Sequence, residues 1–321
     1  MCASLFEPIS IACVLPELFP RVPLYTQHIN QSLQEKYVLY MDATRRFTLT
    51  DRDRLRDNNT STMFVRTGDL KEVSRFSEDN LSIILTRDDV PKEAKFEALI
   101  QTSGNYLKEI FSDPENSQDA ERCKTLTRHL ATQITEDQNV TKMIQAMHGS
   151  SPFAIRHSMQ VATLAMLAWS KLFPEKSDDL VDIGVAGMLH DIGMSLVLTN
   201  AIEDIDYWST PSVEIIKRHP FEGYIFLKKN GQYNEFILDA VRHHHERYFG
   251  GGYPAGLKGD EIKISTQVVG LSDMYCTLIT DRSTRKASTS EEAYKIIGDE
   301  DNKCFSTLLF SAFQTVMKTS G

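Results

Sequence analysis

The segment Val185-Ala186-Gly187-Met188-Leu189-His190-Asp191-Ile192-Gly193 constrains the fold of this 321-residue chain more than any other stretch. It is apolar almost all round, the pattern of a buried helix. Yet it carries two adjacent ionisable side chains, His190 and Asp191. A buried carboxylate is costly unless it is paired or coordinates a metal. Neighbouring helical residues point about 100° apart, so the two are not expected simply to bond to one another. Something polar has to lie between them and the rest of the core, and the remaining histidines point to metal.

The chain has 9 histidines, of which His28, His129 and His148 lie outside the region of interest. His157 lines up with Val161, Leu164 and Ala168 at helical spacing, a core stripe. His219 closes the run from Val213, just after Ile215 and Ile216, and Pro220 is expected to end or bend that helix. His244 follows Ile237, Ala240 and Val241 on one face, with His245 one position round and His243 expected on the helix surface. Asp273 ends the apolar run from Val268. One core histidine is ordinarily satisfied by a backbone carbonyl. Five segments that all aim His or Asp inward ask for more. Imidazole and carboxylate are the usual ligands of Zn, Fe and Mn. Five His and two Asp exceed the four ligands of a structural zinc site and suit two ions sharing a bridge.

Leu189-His190-Asp191-Ile192-Gly193 resembles the HD signature of metal-dependent phosphohydrolases. The stretch from His244-His245-Glu246 through Gly252-Tyr253-Pro254 to Gly259 resembles the second signature of the HD-GYP family of cyclic-dinucleotide phosphodiesterases. Arg218-His219-Pro220-Phe221-Glu222-Gly223 fits the His-Pro element between them, and Asp273-Met274-Tyr275 and Asp281 to Ala287 fit the closing elements. The likeness runs from about Ser151 to about Glu300. It implies hydrolysis of a cyclic dinucleotide, chiefly cyclic di-GMP, to the linear product. By resemblance the metal ligands are His157, His190, Asp191, His219, His244, His245 and Asp273, with His190, Asp191 and Asp273 at the centre of the chemistry. The cofactor is a pair of divalent ions, iron foremost, with manganese or another metal as alternatives. Arg282 and Arg285 match positions that hold substrate phosphate, and Tyr253 matches a tyrosine beside the nucleotide or at a contact with a signalling protein.

Two ions about 3.5–4 Å apart would neutralise the phosphate and lower the pKa of a bridging water, so no protein nucleophile is needed. No Ser-His-Asp arrangement or reactive-cysteine context competes. Without the resemblance, Arg282 and Arg285 read equally as a solvated run, and the glycines and proline around Tyr253 as turn chemistry. Glu246 either orients a ligand from behind or forms a surface salt bridge.

Three departures stand out. Met194 replaces a phosphate-contacting lysine, a loss of about 1.5–3 kcal/mol. Phe249 replaces an aspartate before the glycine run, and Phe153 stands where three-metal members carry glutamate, so two ions are expected. Met194 and Phe249 motivate a second reading, a weakly active or inactive adaptor that binds metal and a dinucleotide or partner. A phosphohydrolase of other nucleotides explains the first signature but not the second.

A net charge of −9 argues against DNA, RNA or an anionic membrane as partner. The 5 scattered cysteines fit a reducing cytoplasm. No secretory-signal pattern is expected at the N-terminus, and apolar runs are expected to fall short of the roughly 18 residues that span a bilayer. The fold expected is mainly α: a C-terminal HD-type helical bundle with a small N-terminal α+β domain. Residues 1–90 read as a regulatory or sensory module of unknown type, 91–147 as linking helices and 148–321 as the catalytic domain. Within the module, strands are expected at 22–25, 37–41 and 63–66, a capped helix from Thr48 to Leu55, and one helix from Leu70 to about Leu85. Helices from Pro91 to about Phe111 and Asp119 to about Met147 follow, expected to pack on the bundle rather than form a dimer seam. Thr280 to Thr289 is expected to loop out near the site.

Overall fold

The computed structural model describes residues 5–29, 35–117, 119–136, 153–197, 213–281, 285–299 and 304–319. Among the described residues the chain is mainly helical with one small sheet, and it divides into two units, Met1–Tyr106 and Leu107–Gly321.

In the first unit, strands β1 (Phe6–Ser10), β2 (Leu24–Ile29), β3 (Glu35–Met41) and β4 (Thr62–Arg66) form an antiparallel sheet in the order β1-β4-β2-β3. β3 and β4 lie where alternation put them. β2 starts later than expected, with Val22 and Pro23 ahead of it. β1 was not expected, because Pro8 masks it; the sheet tolerates a proline there because β1 is an edge strand. Helix α1 (Leu49–Asp57) is capped by Thr48, whose side chain accepts from Asp51 N–H while the Asp51 carboxylate accepts from Thr48 N–H. The single helix expected from Leu70 is two, α2 (Leu70–Asp79) and α3 (Leu81–Thr86). Asn80 leaves helical geometry between them, and its side-chain amide donates to Phe76 C=O at 2.9 Å. Ile9, Leu24, Met41, Leu55, Met63, Val65 and Val73 close this unit's core. The boundary between units falls within α4 (Lys92–Ser112).

The second unit is a bundle of α5 (Ala120–Glu136), α6 (Phe153–Leu172), α7 (Leu180–Leu189), α8 (His219–Asn230), α9 (Glu235–His243), α10 (Ile264–Ile279), α11 (Ser290–Ile297) and α12 (Thr307–Thr319). The expected helix beyond Glu136 lies outside the described residues. α5 packs on α7, with Thr127 against Gly184 and its hydroxyl 3.5 Å from Met188 Sδ. α6 and α7 cross where Gly187 meets Ala162. A Cβ at Gly187 would stand 2.6 Å from Ala162 Cα, so only glycine permits that approach. The crossing lays His190 beside His157, with ring centroids 5.3 Å apart.

Two local expectations are corrected. α7 stops at Leu189, and residues 190–193 form a tight turn, with Ile192 N–H donating to Leu189 C=O and Met194 N–H to Asp191 C=O. Pro220 opens α8 instead of ending a helix; in the first turn its missing N–H has no partner to lose. One stretch among the described residues, Pro174–Val197, is long and apolar enough to cross a membrane, which the sequence reading did not expect. Of its most apolar window, 72% is buried inside the protein. It carries the His190-Asp191 turn into the core.

Candidate metal centre

Five elements deliver the candidate ligand side chains. His157 comes from α6, His190 and Asp191 from the turn after α7, and His219 from the first residue of α8. His244 and His245 follow α9, and Asp273 lies on α10. His190 is 0% exposed and Asp191 and Asp273 are each 8% exposed. All seven gather in two groups, Asp191 with His219, His244 and His245, and His157 with His190 and Asp273. Within each group the ligand atoms lie within 4.8 Å of one another. His157 Nε2 stands 2.9 Å from Asp273 Oδ1, and His219 Nε2 3.0 Å from Asp191 Oδ1. His190 Nε2 lies between the groups, 3.3 Å from Asp191 Oδ2 and 3.9 Å from Asp273 Oδ1. The turn thus brings His190 and Asp191 together, which straight helical geometry would not.

Three imidazoles are oriented in the same way. Nδ1 of His190, His219 and His244 lies 2.8, 2.7 and 2.8 Å from the carbonyls of Gly187, Ile216 and Val241. A carbonyl only accepts, so each Nδ1 carries a hydrogen and each ring turns its Nε2 inward, the atom that takes a cation once it holds no proton. His219 Nε2 and His244 Nε2 face each other at 3.2 Å. Buried His190 Nε2 and His157 Nδ1 have no hydrogen-bond partner. Imidazole nitrogens and carboxylate oxygens buried this close together are the groups a cation binds, and this donor set fits divalent transition metals. Two glycines make the convergence possible. Gly193 lies against the His219 carbonyl and Gly270 against that of His244, and neither place has room for a Cβ.

The electrostatics follow. Burial pushes the Asp191 carboxyl up, but His190 and His219 outweigh it and hold it well below the usual carboxylate range. Asp273 is likewise depressed, burial being overcome by His157, His190 and His245. Burial works against a charged His190, yet Asp191 and Asp273 raise its pKa to about 9. Burial and the positive charge of His190 and His219 push His244 down to about 3. Burial, with His244 and His219 adding to it, also lowers His245.

The other residues singled out in the sequence fall in different places. The Tyr253 ring stacks on the His245 imidazole, centroids 4.7 Å apart and planes 29° from parallel. Burial, then Asp273 and Asp191, raise its phenol pKa, so it stays neutral. Arg285 directs its guanidinium to the carbonyls of Thr277, Leu278 and Lys286 and to Ser288 Oγ, at 2.5–3.3 Å. Arg282 lies outside the described residues. Phe153 stacks on His157, centroids 5.4 Å apart. Met194 is buried and Phe249 is 55% exposed. His243 does not face solvent as expected; its side chain is 11% exposed and its Nδ1 lies 3.3 Å from Asp239. Glu246 forms no surface salt bridge among the described residues. It is buried and accepts three backbone N–H groups from Ala255, Gly256 and Leu257. Nothing local in the sequence marks those amides, because the turn that offers them lies 9 to 11 residues on.

A family model described as HD domain matches residues 120–305. The cyclic di-GMP phosphodiesterase PA4108 of Pseudomonas aeruginosa is 28% identical over 207 residues, covering 64% of this chain and 49% of the relative. The cyclic di-GMP phosphodiesterase response regulator RpfG of Xanthomonas campestris is 32% identical over 127 residues, 38% of this chain and 33% of the relative. The 3'3'-cGAMP-specific phosphodiesterase 3 of Vibrio cholerae is 29% identical over 175 residues, 53% and 37%. The chain spans half or less of the length of these relatives. Among solved structures, Bd1817, an HDG"Y"P protein from Bdellovibrio bacteriovorus, has the same fold, with a TM-score of 0.65 at 17% identity over 98% of this chain and 99% of that one. Matched by that model over more than half its length, the chain belongs to the HD-domain family.

Proposed function

We propose that this chain is a metal-dependent phosphodiesterase that opens cyclic di-GMP to the linear dinucleotide. The observation that carries the reading is the inward set of seven candidate ligands, with two imidazole Nε2 atoms facing at 3.2 Å. Asp191, His219, His244 and His245 would hold one divalent ion, and His157, His190 and Asp273 the other; iron is the first expectation and manganese the second. Bound there, such ions act as Lewis acids on the phosphate and make water nucleophilic near neutral pH.

The protein's own part is orientation. The carbonyls of Gly187, Ile216 and Val241 fix three rings through Nδ1–H, so the ligand atoms need little rearrangement. The Tyr253 phenol keeps its hydrogen and remains a donor beside the two carboxylates. Its ring forms an aromatic wall on which a guanine base would stack. The names of the relatives, which include enzymes for cyclic di-GMP and for 3'3'-cGAMP, support a guanine-containing cyclic dinucleotide.

The test is to load the chain with iron or manganese, incubate it with cyclic di-GMP and 3'3'-cGAMP, and separate the products by chromatography. Linear pGpG is expected from the first. No linear product under any divalent loading overturns the reading. A second reading, a receptor or adaptor with little turnover, is favoured by one observation: the Arg285 N–H groups are bonded to backbone carbonyls and not offered to a phosphate. Binding of cyclic di-GMP without hydrolysis would select it.

A further inference from the structure

Glu246 follows the ligand pair His244-His245 directly and is 3% exposed. Its Oε1 accepts from Ala255 N–H at 2.6 Å and Gly256 N–H at 3.0 Å, and its Oε2 from Leu257 N–H at 3.0 Å. Hydrogen bonds to an ionised acceptor are the strong kind. The three amides belong to the turn that follows Tyr253-Pro254. The same loop closes on the ligand pair at its other end. Tyr253 N–H donates to His245 C=O at 3.3 Å, and the Tyr253 ring lies on the His245 imidazole. Gly252 rests on the backbone of Glu246 and Arg247, with no space for a Cβ. The chain leaves the metal ligands, runs through a glycine-rich stretch, and is tied back to the residue beside them.

We propose that Glu246 is a positioning residue for the substrate wall: its carboxylate fixes Ala255–Leu257 so that Tyr253 already stands over His245 when a dinucleotide arrives. The clamp deepens the hydrolase reading and rests on it only for the ligand's identity. Glycines at 250, 251, 252 and 256 leave this loop with much conformational entropy to lose. Glu246 takes that loss at folding, so binding does not bear it. Its removal therefore weakens binding more than it slows the chemical step. A residue that merely supported the metal ligands would instead lose metal when replaced.

The test compares the full chain with Glu246→Gln and Glu246→Ala by amide hydrogen exchange, metal content per chain, and KM and kcat for cyclic di-GMP. In Glu246→Ala, exchange at Ala255, Gly256 and Leu257 is expected to rise by about tenfold or more, with metal content retained and KM raised about tenfold, a larger change than in kcat. Glu246→Gln keeps one acceptor oxygen and is expected to fall between. Unchanged exchange at the three amides, loss of metal, or an equal fall in kcat and kcat/KM would each overturn the clamp. If the unmodified chain neither binds nor hydrolyses cyclic di-GMP, the hydrolase reading fails, while exchange and metal content still decide the role of Glu246.

Discussion

Asp51 in the first unit and Asp191 in the second are both buried carboxylates, 5% and 8% exposed, and they are solved in opposite ways. Asp51 is surrounded by donors. Arg45 gives it two N–H bonds at 2.6 and 3.0 Å, Thr48 gives its N–H and hydroxyl at 3.0 and 2.8 Å, and the Tyr40 hydroxyl lies 3.3 Å away. Asp191 faces imidazoles whose Nδ1 hydrogens are already bonded to carbonyls behind them. One carboxylate completes a helix cap and the other lies within a converging cluster of histidines. Burial alone therefore does not mark a site; the convergence of groups that can bind one cation does.

The sharpest way to break the comparison is to remove each carboxylate and count metal. Asp191→Ala is expected to lose at least one ion per chain by elemental analysis and to cut hydrolysis by at least about 100-fold. Asp51→Ala is expected to leave metal content untouched. If Asp191→Ala retains both ions, the ligand assignment is wrong and the two carboxylates are alike after all.

The next effect is in pH. In the metal-free chain His190 keeps its proton up to about pH 9. That proton must leave before Nε2 can take a cation, so affinity for a divalent ion should climb about tenfold per pH unit from roughly pH 7 to 9 and then level. The same group sets a stability trend. Its pKa is raised from 6.5, so its contribution to the metal-free fold is complete below about 6.5 and disappears as pH rises through about 9. Asp51 runs the other way. Burial raises its carboxyl, Arg45 and Thr48 outweigh that and depress it below 3.8, and its contribution is present above that value and lost as pH falls. Thermal melts of the metal-free chain across pH, followed by probes in each unit, should show an acid loss in both units, since Asp191 and Asp273 are depressed as well, and an alkaline loss from His190 in the second. A flat metal affinity across the alkaline range would exclude protonated His190 from the ligand set.

A smaller, purely structural effect belongs to Asp51→Asn. The substitution keeps the shape and removes the charge that orders Arg45 and Thr48. Arg45 is 45% exposed, so the ion pair itself contributes little. The cap and the orphaned donors together cost about 1–2 kcal/mol, to be read as a lower denaturation midpoint for the first unit. An unchanged midpoint would mean that water replaces the carboxylate without loss.

What could be read from the sequence follows the same division. The inward histidines and aspartates were legible because each sits at helical spacing among apolar residues, as His157 does with Val161 and Leu164. Their grouping into two sets was not, since it depends on glycines 187, 193 and 270 letting backbones touch. The Thr48 cap was legible from a local motif. β1 was hidden by Pro8, and the break at Asn80 by an uninterrupted apolar pattern on either side. Pro220 was misread because proline has one meaning inside a helix and another in its first turn. Glu246 was found but not understood: whether a carboxylate meets a cation, water or three amides is fixed by where the chain returns.

Arg285 gives the smallest expected effect and sharpens the comparison at its other end. The resemblance makes it a phosphate ligand, whereas its guanidinium bonds Thr277 and Leu278 carbonyls at the C-terminus of α10, the helix that carries Asp273. A cation there satisfies carbonyls left without helical partners and complements the helix dipole. As a cap alone, Arg285→Ala should cost about 1 kcal/mol of stability, with KM for cyclic di-GMP and metal content unchanged. Arg285→Lys should restore part of the loss, because it keeps the charge without the fork. If instead KM rises about tenfold in both variants while the melting temperature hardly moves, the guanidinium must leave its carbonyls when the phosphate arrives. The cap would then be the resting state of a binding residue, and α10, like Asp191, would hold an interaction completed only by the ligand.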